Sequence, residues 1–240
     1  MTTAFAGEAH AVAHLIVEDL GTDLTVEGAH GHHLARVRRL RPGERMTAAD
    51  GVGTWRAYEV ATSAKGRVTL VAIGEPVTEP VRLPRIELVF APTKGGQPER
   101  VVQHATELGV AGIHPLVTER TVVRWDDVRG ADVLERFRRV ALEAACQSFR
   151  ASLPVIGEPL TVDDLATRDG VIVADRGGPK RPEMPAGEVW WVGIGPEGGF
   201  TPEEASRLRR KQCLGLGDQV LRTETAALAA CTILATLRDI

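Results

Sequence analysis

From residue 85 onward the chain repeats one pattern: a short apolar run, a turn, and a stretch with helical spacing. The apolar runs are RIELVFA (85–91), GIHPLVT (112–118), GVIVAD (170–175) and EVWWVGI (188–194). Their near-continuous hydrophobicity is that of strands buried on both faces. Between them, PERVVQHATELG (98–109) is a helix opened by Pro98 and closed by Gly109, and residues 132–149 form a long amphipathic helix that stops before Pro154. A helix from 202 to about 212, a short CLGLG run and a last helix from 224 complete the series. Such alternation implies a parallel sheet covered on both sides, an α/β domain over residues 85–240.

The first 76 residues have a different texture. HLIVE (14–18), ERMTAAD (44–50), TWRAYEVA (54–61) and GRVTLVAIG (66–74) read as short strands, with hairpin turns at Gly51-Val52-Gly53 and Ser63-Ala64-Lys65-Gly66. One helix, roughly from Gly28 to Leu40, interrupts them. The segment EPVTEPVRLP (75–84) carries three prolines and no periodicity, so residues 77–84 read as a linker.

A net charge of −3 gives the chain no global basic field, so any contact with nucleic acid has to come from a local patch. One patch is present: Arg36, Arg38, Arg39, Arg41 and Arg45 face a single acid, Glu44, and could neutralise several phosphates. Cys146, Cys213 and Cys231 form no C-x-x-C pair and read as reduced thiols, small core residues of a cytoplasmic protein. His30, His32 and His33 match no zinc spacing, so no metal site is expected. No apolar run approaches a membrane span, and no secretory leader is recognisable.

Chemistry concentrates in two glycine-containing turns. In VGIGPEGGFTPEE (192–204) a strand runs into a glycine loop and then a helix start, where Thr201 can cap, Pro202 fits the first turn and Glu204 completes a capping box. Strand-to-helix turns of this kind usually take phosphate. This one fits neither G-x-x-x-x-G-K-[ST] nor G-x-G-x-x-G. Glu197, Glu203 and Glu204 also oppose an anion, so a neutral or cationic ligand is expected. In LGLGDQVLRTETAALAA (214–230) a second such turn precedes a helix so poor in charge that it must be largely buried, with Thr223 as a cap.

IGPEGGFTPEE and LGLGDQVLRTETA together resemble the signature of the SPOUT methyltransferases and, within them, the RsmE-type family. KGGQPERVVQHATELGV (94–110), EAACQSFRASLPVI (143–156) and HHLARVRRLRPGE (32–44) resemble further segments of that family, in its order. The resemblance implies a C-terminal SPOUT α/β domain with a trefoil knot, a small N-terminal PUA-like β-barrel that binds RNA, and a homodimer. It implies S-adenosylmethionine as cofactor and N3 of a uridine in 16S rRNA of the small ribosomal subunit as methyl acceptor. The cofactor would lie on Ile194, Gly195, Pro196, Glu197, Gly198 and Gly199, and on Leu214, Leu216, Gly217, Leu221, Arg222 and Thr223. Arg150 and Arg222 are the candidate guanidiniums for a uracil anion, with Gln147 one turn before Arg150 on the same helix face. Glu197 and Glu224 are the candidate proton acceptors, and Lys94 could join the N-terminal arginines on RNA. A SPOUT enzyme acting on a ribose hydroxyl or a tRNA base, and a non-catalytic RNA-binding assembly factor, are the alternatives. A nucleotide hydrolase is disfavoured by the missing Walker lysine.

Overall fold

The computed structural model describes residues 11–64, 66–92, 98–121, 127–179 and 183–238. The backbone divides into two compact units. One runs to Val81 and takes in Leu142–Leu153; the other is Arg82–Ala141 with the chain from Pro154 onward. The 142–153 segment, expected to belong wholly to the α/β domain, therefore counts with the first unit.

The first unit is one sheet: β1 (His14–Ile16), β2 (Asp23–Val26), β3 (Arg45–Ala49), β4 (Thr54–Ala64), β5 (Arg67–Ala72) and β6 (Val77–Thr78). Strands β3, β4 and β5 form an antiparallel meander, with β1 parallel to β3, β2 antiparallel to β5, and β6 on the start of β4. The Gly51–Gly53 turn is pinned by Asp50, whose Oδ1 accepts from the amides of Val52, Gly53 and Thr54 at 2.8, 3.0 and 3.0 Å. The expected barrel is corrected to an open sheet, since among the described residues no pairing joins β1 to β2. Strand β6 occupies the stretch read as a linker. It has only two residues, too few to show a periodicity.

The expected helix from Gly28 to Leu40 is shorter and ends more widely wound. It consists of α1 (Gly28–His32) and a π-helical turn over His33–Val37, after which Arg39 takes φ 54. Gly31 explains its seat: a Cβ there would lie 2.3 Å from the Gly66 carbonyl oxygen and 2.5 Å from that of Val26. Leu34 and Leu40 turn into a core with Leu15, Met46, Tyr58, Val60 and Leu70, which leaves Arg36, Arg38, Arg39 and Arg41 outward and exposed.

The second unit carries β7 (Arg85–Phe90), α2 (Pro98–Glu107), β8 (Gly112–Val117), most of α3 (Asp127–Gln147), β9 (Val155–Ile156), β10 (Leu160–Thr161) and α4 (Val162–Thr167). It continues with β11 (Val171–Ala174), β12 (Val189–Ile194), α5 (Pro202–Leu208), β13 (Gln212–Leu214) and α6 (Thr223–Arg238). All pairings are parallel, in the order β10-β8-β7-β12-β11-β13 with β9 on β8. The strands present alternate residues to opposite faces, and both faces are covered. Ile86, Leu88, Phe90, Val192 and Ile194 pack with Val102 of α2, Phe137 of α3 and Leu234 of α6. Val89, Leu116, Val171 and Val173 pack with Leu165 of α4 and Leu208 of α5. The α/β architecture is thus the one the apolar runs predict.

In the first unit a buried histidine records what enclosure does to a titratable group. His14 is 4% exposed; its Nε2 donates to the Arg150 carbonyl at 3.0 Å, and its Nδ1 accepts from the Thr47 hydroxyl at 2.7 Å. A carbonyl can only accept, so the neutral ring carries its proton on Nε2. Burial pushes its pKa down from 6.5 to about 4, against the opposing pull of the Arg150 carbonyl. Between those values the unfolded chain binds the extra proton, so the contribution is fully present above pH 6.5 and is lost as pH falls through about 4. Stability measured by urea unfolding is expected to fall by about 3 kcal/mol more in the wild type than in His14→Gln on acidification from pH 7 to pH 4. Parallel curves for the two proteins would contradict the assignment.

Candidate functional site

Three neighbouring parallel strands, β12, β11 and β13, end on the same edge of the sheet, where ligands of open α/β sheets gather. The loops that follow them enclose a cavity of about 550 Å³, within the range of small-molecule sites. The β13–α6 segment is held against the loop after β11: Asp175 donates its amide to the Leu214 carbonyl at 3.1 Å, and Gly215 donates to Pro179 at 2.9 Å. Gly215 must be a glycine there, because a Cβ would sit 2.1 Å from the Gly178 carbonyl oxygen. The two glycine turns meet where the Thr223 hydroxyl, buried at the head of α6, donates to the Gly195 carbonyl at 3.4 Å. The Phe200 ring folds back over Gly195, 2.9 Å from where a Cβ would be.

Among the expected cofactor residues, Ile194, Gly195, Pro196, Glu197 and Gly199 line the cavity, as do Leu216, Gly217, Leu221 and Thr223. Leu214, Gly198 and Arg222 do not. Leu214 is buried in β13, Gly198 offers its carbonyl to Arg120, and Arg222 is exposed. Glu224 turns to a different, smaller cavity of about 190 Å³, shared with Arg100 and His104 of α2. Gln147 and Arg150 belong to the first unit. The expectation that they share a helix face is corrected. Helix α3 ends at Gln147, Phe149 takes φ 57, and the Arg150 amide bonds back to Ala145 at 3.0 Å. This is a six-to-one helix-ending bond with a phenylalanine in the left-handed position, where glycine is usual. Lys94 lies outside the described residues.

Other lining residues carry no site signal in the sequence: Asp175 and Arg176 after β11, Cys213 in β13, and Arg209 after α5. They change the electrostatics. The expected acidic character is corrected, because Asp175 and Glu197 share the lining with Arg176 and Arg209. Glu204 serves structure: it is 3% exposed and accepts from the amides of Thr201 and Glu119, both at 2.9 Å. The capping box with Thr201 forms as the sequence predicts. Cys213 is a half-buried lining residue and not part of a core. Burial, and then the Asp175 carboxylate, push its thiol up, which disfavours the thiolate. Among the described residues no three His, Cys, Asp or Glu converge as a metal site would need, and no helix is long and apolar enough to cross a membrane.

Residues 80–235 match the family model of an RNA methyltransferase domain, and residues 26–73 match that of an RNA methyltransferase PUA domain. Ribosomal RNA small subunit methyltransferase E of Mycobacterium bovis is 34% identical over 226 residues, covering 88% of this chain and 86% of its own. The enzyme of the same name from Bacillus subtilis is 30% identical over 223 residues, 86% of this chain and 87% of its own. The crystal structure of ribosomal RNA small subunit methyltransferase E from Neisseria gonorrhoeae bound to S-adenosyl methionine superposes with a TM-score of 0.79. It has 26% identity and covers 94% of this chain and 97% of that one.

The backbone contact at Gly215 gives a test. Gly215→Ala forces the two segments apart or overpacks them, which costs roughly 1–3 kcal/mol. Calorimetric Tm is expected to fall by about 5 °C; an unchanged Tm would mean that the segments are free to separate.

Proposed function

The chain belongs to the ribosomal RNA small subunit methyltransferase E family, and from that premise we propose that it methylates N3 of a uridine in 16S rRNA of the small ribosomal subunit, drawing the methyl group from S-adenosylmethionine held in the cavity at the ends of β11, β12 and β13. The observation that carries this reading is the meeting of the two glycine turns through Thr223 and Gly195. The lining suits that cofactor. Glycine backbone permits close approach to a nucleoside, and the two carboxylates and two guanidiniums suit a ligand with a cationic sulfur and a zwitterionic amino-acid end. When bound, S-adenosylmethionine supplies an electrophilic methyl group.

The protein's part is alignment and proton management. Loss of the N3 proton spreads negative charge over two flanking carbonyl oxygens, which a guanidinium stabilises. Arg222, exposed between the lining residues Leu221 and Thr223, takes this role in our reading, and the resemblance gives Arg150 a share in it. Glu197, exposed on the cavity lining, is the proton acceptor we favour. Glu224 is less suited, facing the smaller cavity. The exposed Arg36, Arg38, Arg39 and Arg41, with Lys94, would hold RNA phosphate.

The chain is proposed to act in the cytoplasm as a homodimer. The support is α6: Ala227, Ala230, Cys231 and Leu234 are buried, but Thr225, Leu228, Thr232 and Thr236 form an exposed, uncharged row. A helix expected to be largely buried keeps that row for a second subunit. The trefoil knot is proposed for the crossing of the 214–217 segment against the 175–179 loop, supported by their backbone contact.

In vitro methylation of small-subunit particles, read by nucleoside mass spectrometry, is expected to give 3-methyluridine; a ribose-methylated product would overturn the assignment. Arg222→Ala is expected to lower kcat by about 10²-fold or more with cofactor affinity within a few-fold. Near-native turnover would return Arg222 to the surface, and Arg150→Ala is judged by the same measurement.

A further inference from the structure

We infer that Arg120 is the residue that positions the glycine loop for its cofactor, acting through the carbonyls of Gly198 and Phe200; the inference rests on the cofactor reading above. Arg120 lies in the turn that follows β8, far from the loop in sequence. That turn is closed on itself: the Thr118 amide donates to the Thr121 hydroxyl at 2.9 Å, and the Thr121 amide donates back to the Thr118 carbonyl at 3.1 Å. Two of its residues reach out, Glu119 to the first turn of α5 and Arg120 to the loop after β12. The Glu119 amide donates to the buried Glu204 carboxylate at 2.9 Å. The Arg120 guanidinium, through Nη1, donates to the carbonyl of Gly198 and to that of Phe200, the latter at 3.4 Å. Its stem lies along Gly198, with Cδ 3.5 Å from the position of a Cβ.

The loop needs such a strut. Its near end is tied by Thr223 on Gly195 and its far end by Glu204 on Thr201. Between these ties the Gly199 amide closes a turn on the Pro196 carbonyl at 2.8 Å. Gly198 and Gly199 still have no side chains to limit the backbone, Gly199 takes φ 68, and the Gly198 and Phe200 carbonyls are left for an outside donor. One charged donor shared by two carbonyls, one on each side of Gly199, orients both peptide planes. It spares the cofactor the entropy of ordering them. Arg120 does not line the cavity, so it acts through the loop. A lysine keeps the charge but lacks the planar, preorganised guanidinium, so it would restore the function only in part.

The test compares wild type, Arg120→Ala and Arg120→Lys by calorimetry with S-adenosylmethionine, by hydrogen exchange of residues 195–201 without ligand, and by methyl-transfer kinetics on small-subunit particles. Arg120→Ala is expected to weaken cofactor binding about tenfold and to speed exchange in the loop. At saturating cofactor, kcat and the KM for the particles should stay within about threefold, and Tm should hold because the side chain is exposed. Arg120→Lys should lie in between. Wild-type affinity and exchange in Arg120→Ala would overturn the inference. So would a loss of kcat at unchanged cofactor affinity, which would place Arg120 on the RNA, or a fall in Tm that accounts for the weaker binding. Absence of saturable binding by the wild type would instead sink the cofactor reading, and with it this inference.

Discussion

The functional edge of the second unit depends on two backbones that touch at Gly178 and Gly215. No side chain fits between them, since a Cβ on Gly215 would lie 2.1 Å from the Gly178 carbonyl oxygen. That approach lets β13 pair with β11 at the end of the sheet and sends the chain on toward α6 along the loop after β11. The 216–223 turn then arrives beside the 194–200 turn, and a cavity exists where two separate loops would otherwise stand. Ordering so much irregular backbone costs about 1–2 kcal/mol per residue. The burial of Ala227, Ala230, Cys231 and Leu234 behind the turn helps offset that cost.

Carboxylates are divided between the packed interior and the cavity lining by their surroundings. Glu204 is enclosed and receives two amides, so it anchors the start of α5 and the turn after β8 together. Asp175 and Glu197 are exposed on the cavity lining, opposite in charge to Arg176 and Arg209. A pocket balanced in this way selects by the arrangement of charge more than by its sum. The absence of a phosphate motif says more about the ligand than the local count of glutamates does.

The legible parts of the protein were those with a local cause. Apolar runs buried on both faces announced β7, β8, β11 and β12, and Thr201, Pro202 and Glu204 announced the start of α5. The strands β6, β9 and β10 were not legible, because two residues carry no period. The end of α3 was misread for a related reason. Phe149 stands in a left-handed position where a glycine would have given the signal. Its reward is tertiary, in packing with Ala49, Trp55 and Ala151.

The amino-acid sequence by itself determined the α/β character of the second unit, the two glycine turns and the family to which they point. These follow from neighbours along the chain: periodicity, caps, and residues without a Cβ. Only the tertiary structure decided that Asp175, Arg176, Arg209 and Cys213 join those turns, that Glu224 faces away from them, and that Arg120 reaches a carbonyl 78 residues on. Those relations are fixed by strand order and by backbone approach between distant segments. A linear pattern carries no trace of either.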